Sequence, residues 1–370
     1  MNKKEIGLYI HIPFCKHKCD YCDFISFANK EESIEEYINK LIEEIKIENL
    51  EHYKINTIYI GGGTPSFIDS KYIVQILNNI NKKYAEEITI ELNPGTATKQ
   101  KLQDYYDVGI NRLSIGLQST HNEILKQLSR IHTYEEFLET YNLARKIGFK
   151  NINVDLMIGL PNQKIEDVEK SLNEIIELNT NHISVYSLIL EEGTVLENKV
   201  KKGILKLPSE EEERKMYWLV KNKLEKAEYN HYEISNFAKT DFCSKHNLNC
   251  WEQKEYIGVG LAAHSYLNKT RYSNTEDLYK YLKSIKENRI IHEVQKQEDE
   301  AKEYMLLGLR KIEGVNIQKF KNKFIQNPIY LYREALDKLV KNKLIEIDTN
   351  YIKLTKKGID LANVVWEEFV

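Results

Sequence analysis

Residues 7–22 read GLYIHIPFCKHKCDYC, and this stretch sets the interpretation of the rest of the chain. Its apolar first part, Gly7–Ile12, predicts a buried β-strand. Three cysteines follow on one loop in the spacing C-x3-C-x2-C, namely Cys15, Cys19 and Cys22. Three thiolates can hold three irons of a [4Fe–4S] cluster, which otherwise takes four cysteines. Phe24 stands where a fourth cysteine would follow, so the fourth iron would be left open.

Two kinds of metal site fit this loop. A cluster with one open iron would accept an aminocarboxylate, such as the methionine part of S-adenosylmethionine, whose nitrogen and oxygen chelate one metal. A structural zinc ion, with His11 or His17 as the fourth ligand, is the alternative. The spacing favours the cluster but does not exclude zinc.

The composition is that of a globular chain. With 370 residues, 42% of them hydrophobic, it has enough material for two or three domains. Its 53 basic and 56 acidic residues leave a net charge of -3, which argues against a nucleic-acid coat or a disordered acidic tail. No apolar run approaches the roughly 18 residues of a membrane span, and the start does not read as a secretory signal. Clustered thiols without an export signal predict a soluble cytoplasmic metalloprotein.

The first 235 residues alternate β-branched runs with amphipathic stretches of helical period. The predicted strands are Gly7–Ile12, Asn56–Ile60, Ile88–Leu92, Arg112–Leu117, Ile152–Ile158, His182–Ile189 and His231–Ile234. The predicted helices are Ser33–Leu50, Lys71–Tyr84, Tyr134–Ile147, Ile165–Leu178 and Ser209–Glu228. This alternation indicates an α/β fold with a parallel sheet and right-handed crossovers. Six or seven such units favour an open or complete βα barrel, whose chemistry lies at the C-terminal ends of the strands.

The pattern changes from residue 236 onwards. Residues 236–276 have two cysteines, glycines and few helical runs, which predicts a structured loop region. Residues 277–370 are predicted to form a charged helical linker, Asp277–Glu303, and a winged-helix-like C-terminal domain. Its predicted elements are helices at Ala301–Lys311, Tyr330–Lys341 and Gly358–Glu367, and a hairpin of Leu344–Asp348 with Tyr351–Leu354.

A run of glycines, Gly61-Gly62-Gly63-Thr64-Pro65, ends the second predicted strand. Consecutive glycines permit positive φ and the close approach of a ligand to the backbone. A tight βα turn would explain them as well. Their place at the same barrel mouth as the cysteine loop favours ligand contact.

Five motifs occur in a fixed order: YIHIPFC-x3-C-x2-C, GGGTP, ELNP, GLQS and DLMIGLP. Over nearly the whole chain they resemble the radical S-adenosylmethionine enzymes of the oxygen-independent coproporphyrinogen III oxidase family. The resemblance implies a partial (β/α)6-type TIM-like barrel, a [4Fe–4S] cluster on the three cysteines, and S-adenosylmethionine. An electron from the reduced cluster would then yield a 5′-deoxyadenosyl radical, which abstracts hydrogen from a substrate in the barrel.

The resemblance also implies a set of residues that contact S-adenosylmethionine: Tyr9, Tyr21, Gly62, Gly63, Thr64, Glu91, Gln118, Arg130 and Asp155. The glycine motif is expected at the methionine amino group and Glu91 at the ribose. Gln118, Arg130 and Asp155 match positions of which some hold a second S-adenosylmethionine in the dehydrogenase. An N-cap or a surface charge is the alternative for Glu91, and a salt-bridged helix end is the alternative for Arg130.

Two features are similar to the haem-chaperone branch of that family, namely Phe24 and the segment HNLNCW at residues 246–251. This similarity implies that the chain binds haem and hands it to membrane haemoproteins, without the decarboxylation activity. The candidate haem contacts are His246, Cys250 and His264. Cys250 replaces the usual tyrosine of the branch and would otherwise be a small buried hydrophobe. His264 lies in a glycine-rich loop, residues 258–265, that is expected to close over the cofactor or tetrapyrrole.

Two other functions fit parts of the sequence. One is oxygen-independent coproporphyrinogen III dehydrogenase. The other is a nucleic-acid-modifying radical enzyme, because Val315–Lys357 has ten Lys/Arg against four Asp/Glu. A solvated surface is the simplest explanation of that excess, and anionic membranes or haem propionates are another. We expect no nucleic-acid partner and a cytoplasmic location, peripheral at the membrane where haem is delivered.

Overall fold

The computed structural model of the chain describes residues 3–287, 289–294 and 299–370. Its strands are β1 (Lys4–Ile12), β2 (Phe14–Cys15), β3 (Phe27–Ala28), β4 (Tyr53–Gly62), β5 (Glu87–Leu92), β6 (Arg112–Gln118), β7 (Asn151–Ile158), β8 (His182–Ser187), β9 (Asn230–Glu233), β10 (Asn236–Ala238), β11 (Tyr256–Val259), β12 (His264–Leu267), β13 (Thr270–Asn274), β14 (His292–Val294), β15 (Val315–Asn316), β16 (Ile345–Ile347) and β17 (Tyr351–Leu354).

The α-helices are α1 (Ile34–Ile47), α2 (Ser70–Asn78), α3 (Lys99–Asp107), α4 (Asn122–Gln127), α5 (Tyr134–Ile147), α6 (Ile165–Glu177), α7 (Val195–Lys201), α8 (Glu210–Lys226), α9 (Lys245–Trp251), α10 (Leu278–Lys286), α11 (Glu300–Gly308), α12 (Ile317–Phe324), α13 (Pro328–Leu331), α14 (Arg333–Lys341), α15 (Lys356–Asp360) and α16 (Ala362–Trp366). Short 3-10 helices lie at Glu31–Ser33, Leu50–His52 and Glu367–Phe369. None of the described helices is long and apolar enough to cross a membrane.

A parallel sheet forms the centre of the molecule. Strands β1, β4, β5, β6, β7 and β8 lie side by side in this order, each parallel to the next. Helices connect them, as the alternating pattern predicted. The sheet ends at β14 on one side and at β9 on the other, and these edges do not pair within the described residues. The prediction of a partial barrel is therefore confirmed.

Antiparallel strands extend the sheet at both edges. The predicted strand His231–Ile234 is not a further parallel unit: it is β9, which pairs antiparallel with β10, and β10 pairs antiparallel with β8. On the other side β11 lies parallel to β1, and β12, β13 and β14 follow antiparallel. Residues 236–276, expected as a loop region, thus contain four strands and α9. The domain division at residues 235 and 276 stays a prediction.

Alternate residues of the parallel strands face opposite sides. Leu8 and Ile10 of β1, and Ile58 and Ile60 of β4, are fully buried in the apolar core shared with the surrounding helices. The residues that alternate with them, such as Tyr9, Thr57 and Tyr59, face the barrel interior. This interior face is largely polar, and it carries the candidate site.

The C-terminal part has an apolar core of its own. The order α11, β15, α12, α14, β16, β17 and the antiparallel pairing of β17 with both other strands form a winged-helix-like domain, as predicted. Of the predicted linker Asp277–Glu303, residues 288 and 295–298 lie outside the described residues. Its described parts contain α10, β14 and the start of α11.

Candidate cofactor site at the mouth of the barrel

The predicted cofactor residues meet at the C-terminal ends of the parallel strands. Cys15 belongs to β2, directly after β1, and the glycine motif ends β4. Glu91 lies near the end of β5, Gln118 ends β6, and Asp155 lies in β7. Because the strands are parallel, one edge of the sheet brings together residues that lie up to 140 positions apart in sequence, as from Cys15 to Asp155.

The three thiols of the cysteine loop are free and have donors directed at them. The Thr64 hydroxyl donates to Cys15 Sγ at 3.4 Å, and Arg130 Nη1 donates to Cys19 Sγ at 3.4 Å. Burial raises the pKa of the Cys15 and Cys22 thiols, and the hydrogen bonds that both sulfurs accept oppose this shift and favour the thiolate. Donors to sulfur in a partly buried loop suit the thiolates of an iron–sulfur cluster, so the residues present fit that group.

A single zinc ion fits less well. Among the described residues no group of three or more His, Cys, Asp and Glu side chains is arranged to hold one metal ion. Both ring nitrogens of His11 are engaged, Nδ1 with the Tyr9 hydroxyl at 2.9 Å and Nε2 with Ile25 O at 3.0 Å. The burial that accompanies these contacts lowers the pKa of His11 to about 4.

The glycine motif makes room for the protein itself. Gly62 has φ +111°, and a Cβ there would lie 2.6 Å from the His11 ring. A Cβ at Gly63 would lie 3.0 Å from Cys15 Sγ. The glycines therefore allow the cysteine loop and His11 to pack directly against the end of β4.

Glu91 faces the barrel interior and is not a surface charge. Its Oε1 accepts the Tyr59 hydroxyl at 2.8 Å, and its Oε2 accepts Gly62 N–H at 3.3 Å. Burial, together with the neighbouring Asp155, raises the pKa of Glu91 to about 7 although both hydrogen bonds oppose the shift. The carboxyl is thus held in a fixed orientation close to its titration point.

Arg130 ties the cysteine loop to two strand ends. Besides Cys19, it donates through Nη2 to Asn93 Oδ1 at 2.9 Å and to Gly116 O at 2.6 Å. Tyr21 contributes a further side-chain hydrogen bond to it. These contacts place Arg130 inside the site and not at a salt-bridged helix end.

Asp155 and Gln118 complete the mouth on the far side. Asp155 accepts Asn153 Nδ2 at 2.7 Å and the Ser114 hydroxyl at 3.2 Å, and burial raises its pKa. Gln118 has φ +72° at a register shift between β6 and β7, which turns the chain at this point. Its Nε2 would lie 3.1 Å from a Cβ placed on Gly116, so this glycine too makes room for a neighbouring side chain.

The structure separates the three candidate haem residues. His264 begins β12, is exposed, and lies near His11 at the mouth. His246, only 6% exposed, lies at the opposite end of the barrel, because the amides of Lys245 and His246 donate at 3.0 Å to Glu87, the first residue of β5. Cys250 lies on the same helix, and burial raises the pKa of its thiol to about 11, which disfavours a thiolate.

The sequence reasoning missed several interior residues, above all Thr57, Tyr59 and Asn153. Tyr59 holds Glu91, and Asn153 holds Asp155. Their sequence pattern could have identified them. Polar residues two positions apart in an otherwise apolar strand, such as Thr57 with Tyr59 and Asn153 with Asp155, lie on one face of the sheet.

Comparison with known proteins agrees with this geometry. Residues 9–175 match the Radical SAM superfamily, and residues 295–361 match the HemN C-terminal domain. The structure resembles that of coproporphyrinogen III oxidase (HemN) from Escherichia coli, with a TM-score of 0.84 and 22% identity over 99% of this chain and 90% of that one. Fold and site thus define a radical SAM protein, a class that implies a [4Fe–4S] cluster and S-adenosylmethionine.

Closer relatives narrow the class. The chain is 40% identical to the heme chaperone HemW of Lactococcus lactis, over 100% of this chain and 98% of the relative. It is 38% identical to HemW of Bacillus subtilis, over 98% of each, and 34% identical to HemW of Haemophilus influenzae, over 99% and 98%. The chain belongs to the HemW family.

Proposed function

We propose that this protein is a haem chaperone that carries a [4Fe–4S] cluster on Cys15, Cys19 and Cys22 and S-adenosylmethionine at the barrel mouth. The observation that carries the proposal is the cysteine loop: three thiols at the mouth, with Phe24, 64% exposed, where a fourth would follow. Relatives named as heme chaperones match the chain over its full length, which supports haem as the cargo. The recipients would be haemoproteins of the membrane, met from the cytoplasmic side.

The side chains of the mouth have distinct tasks in this proposal. When bound, the reduced cluster supplies an electron to the sulfonium of S-adenosylmethionine. Arg130, as a cation that donates to Cys19 Sγ, stabilises the thiolate. Glu91 would accept hydrogen bonds from the ribose hydroxyls, with Tyr59 and Gly62 holding its orientation. Tyr9, Tyr21, Gly63 and Thr64 form the walls around these groups.

His264 is the haem ligand that we propose to test first. His264 is exposed at the mouth and is therefore accessible to haem from solvent, whereas His246 is buried and Cys250 is half-buried, with a thiol pKa raised by burial. The expected result is that His264→Ala weakens haem binding in a haem titration followed by absorbance. His52→Ala, an exposed histidine on a short 3-10 helix, is the matched control and should bind haem like the wild type.

One anaerobic reaction separates the chaperone from the enzyme. Reconstituted, dithionite-reduced protein is mixed with S-adenosylmethionine and coproporphyrinogen III, and the products are separated by chromatography. We expect no decarboxylated tetrapyrrole, and a stoichiometric haem complex in a parallel titration. Vinyl-bearing products would instead make the protein a coproporphyrinogen III dehydrogenase. The 5′-deoxyadenosine peak in the same trace reports whether S-adenosylmethionine is cleaved.

A further inference from the structure

A polar path runs through the barrel from α9 to Glu91. Thr57 and Tyr59 lie two residues apart on β4, so both side chains face the interior. His246 Nδ1 lies 2.9 Å from the Thr57 hydroxyl. The His246 ring stacks on Tyr59, with centroids 5.3 Å apart and an interplanar angle of 29°. The Tyr59 hydroxyl in turn donates to Glu91 Oε1 at 2.8 Å.

The end of this path at α9, where His246 lies, is fixed in place. Glu87 receives two backbone amides of α9, and it forms a buried pair with Arg112 at 4.0 Å. The Ser244 hydroxyl accepts Asn247 N–H at the start of the helix. His246 therefore cannot shift without disturbing buried charges and hydrogen bonds, which cost more to break than exposed ones.

The end of this path at Glu91 has few restraints besides Tyr59. Besides the Tyr59 hydroxyl, the Glu91 carboxylate accepts the Gly62 amide, at the longer distance of 3.3 Å. Tyr9 also stacks on Tyr59, with ring centroids 6.3 Å apart. The orientation of Glu91 thus depends on where the Tyr59 ring sits, and that ring rests on His246.

We infer that His246 is a positioning residue for the S-adenosylmethionine site: it supports Tyr59 from the barrel floor and thereby fixes Glu91 for the cofactor. The inference rests on the proposed binding of S-adenosylmethionine at Glu91. It assigns to the HNLNCW segment a task in cofactor binding, exerted from the end of the barrel opposite to the cysteine loop. The enclosure of His246, with its Nδ1 engaged and its ring covered by Tyr59, argues against iron ligation by this residue.

The test measures S-adenosylmethionine binding by equilibrium dialysis on the reconstituted full chain under anaerobic conditions. We expect Tyr59→Phe to weaken binding about tenfold, the effect of losing one hydrogen bond to a charged group. We expect His246→Ala to weaken it to a similar degree. Because both changes act on one path, the double variant should be little worse than either single variant.

A conservative rescue separates positioning from general stability. His246→Phe combined with Thr57→Val keeps a flat ring beneath Tyr59 and replaces the polar pair by an apolar one. This variant should bind S-adenosylmethionine within about threefold of the wild type if ring support is the task, since exchanging both partners of a buried pair is nearly neutral. Iron content and circular dichroism monitor folding in each preparation, and Tyr59→Phe keeps the inference testable if His246→Ala fails to fold.

Haem titration of the same preparations decides between the two roles of His246. Loss of haem binding in His246→Ala with unchanged affinity for S-adenosylmethionine would overturn the inference and make His246 a haem residue. Additive effects of Tyr59→Phe and His246→Ala would also overturn it. If the wild type itself binds no S-adenosylmethionine, the proposed cofactor site fails and the inference fails with it.

Discussion

Residues at the barrel mouth pack so closely that each constrains the size of its neighbours. Gly62→Ala would place a methyl group 2.6 Å from the His11 ring, at φ +111°. We expect it to displace His11 from Tyr9 and to lower the free energy of unfolding by about 2–4 kcal/mol, from strain and overpacking together. Urea denaturation measures this. Gly109→Ala is the matched control, because φ is +98° there but nothing lies within 4 Å. Equal losses in both variants would contradict the packing argument.

The pH dependence of S-adenosylmethionine binding follows from Glu91. Its pKa is raised from 4.5 to about 7, chiefly by burial, so the carboxyl is protonated below pH 7 and ionised above it. In the proposed site, the ribose hydroxyls would donate hydrogen bonds to the ionised form. We therefore expect the affinity to fall as the pH is lowered through 7, by up to about tenfold per unit. Dialysis between pH 5.5 and 8.5 measures this, and Glu91→Gln should bind weakly without that slope.

The cluster assignment can be tested at each cysteine. Cys15→Ala, Cys19→Ala and Cys22→Ala should each lose most of the reconstituted iron and the visible cluster absorbance, because in the proposed site each thiolate holds one iron. Cys243→Ala, a partly buried thiol outside the loop, should keep both. A full iron load in Cys15→Ala would show that the cluster lies elsewhere.

At the scale of elements, helix α1 holds the glycine-rich loop through one buried carboxylate. Glu44 of α1 accepts Gly260 N–H at 2.9 Å, Asn274 Nδ2 at 2.6 Å and the Tyr281 hydroxyl at 2.5 Å. Tyr37, about two turns earlier on the same face of α1, accepts Leu261 N–H and donates to His11 O. The loop predicted to close over the ligand is therefore clamped against β1.

This clamp predicts a pH-dependent stability. Burial raises the pKa of Glu44 from 4.5 to about 7 despite its three hydrogen bonds. A raised carboxyl pKa contributes stability that is fully present below about pH 4.5 and is lost as the pH rises through 7, by at most about 3 kcal/mol. Urea midpoints at pH 5 and pH 8 should thus differ less for Glu44→Gln than for the wild type. Glu35→Gln, on the exposed face of α1, should behave like the wild type.

The sequence could predict most of these elements but not how distant elements pair. The parallel strands were predictable because their runs of Ile, Val and Leu are bounded by turns, and Tyr134–Ile147 has the predicted bounds. The pairing of β11 with β1 could not be predicted, because it joins Gly7 to Tyr256, which are far apart in the chain. The cysteine loop was predictable from local spacing. The hydrogen bond from Tyr59 to Glu91 could not be predicted, because the sequence does not show which face of each strand points into the barrel.

At the scale of the whole molecule, Arg310 joins the C-terminal domain to the barrel. Its guanidinium lies 4.4 Å from the Trp251 ring centroid and 5.0 Å from that of Trp366. Its carbonyl accepts Ile234 N–H at 3.1 Å. One cation between two indoles, one from α9 and one from α16, provides a specific contact between the two parts.

We expect Arg310→Gln to loosen the C-terminal domain without unfolding the barrel. Each cation–π contact contributes about 1–2 kcal/mol when partly desolvated, so amide exchange in α15 and α16 should accelerate at least tenfold, while β5 and β6 stay protected. Hydrogen exchange with mass spectrometry measures both. Lys356→Gln, whose exposed ammonium lies 4.5 Å from the Trp218 ring centroid across the same interface, should change exchange much less. Uniform acceleration in Arg310→Gln would indicate global destabilisation instead.

Helix α9 has only seven residues, yet it contacts both Tyr59 in the barrel and Arg310 of the C-terminal domain. His246 and Trp251 are five positions apart, about 7.5 Å along the axis and roughly 140° around it, so one faces Tyr59 and the other faces Arg310. Equilibrium coupling between two binding events is reciprocal. A recipient that reorients the C-terminal domain through this helix would change the affinity for S-adenosylmethionine by a certain factor. Cofactor occupancy would then change the affinity for the recipient by that same factor, so the binding of S-adenosylmethionine and the binding of the recipient would be coupled through α9.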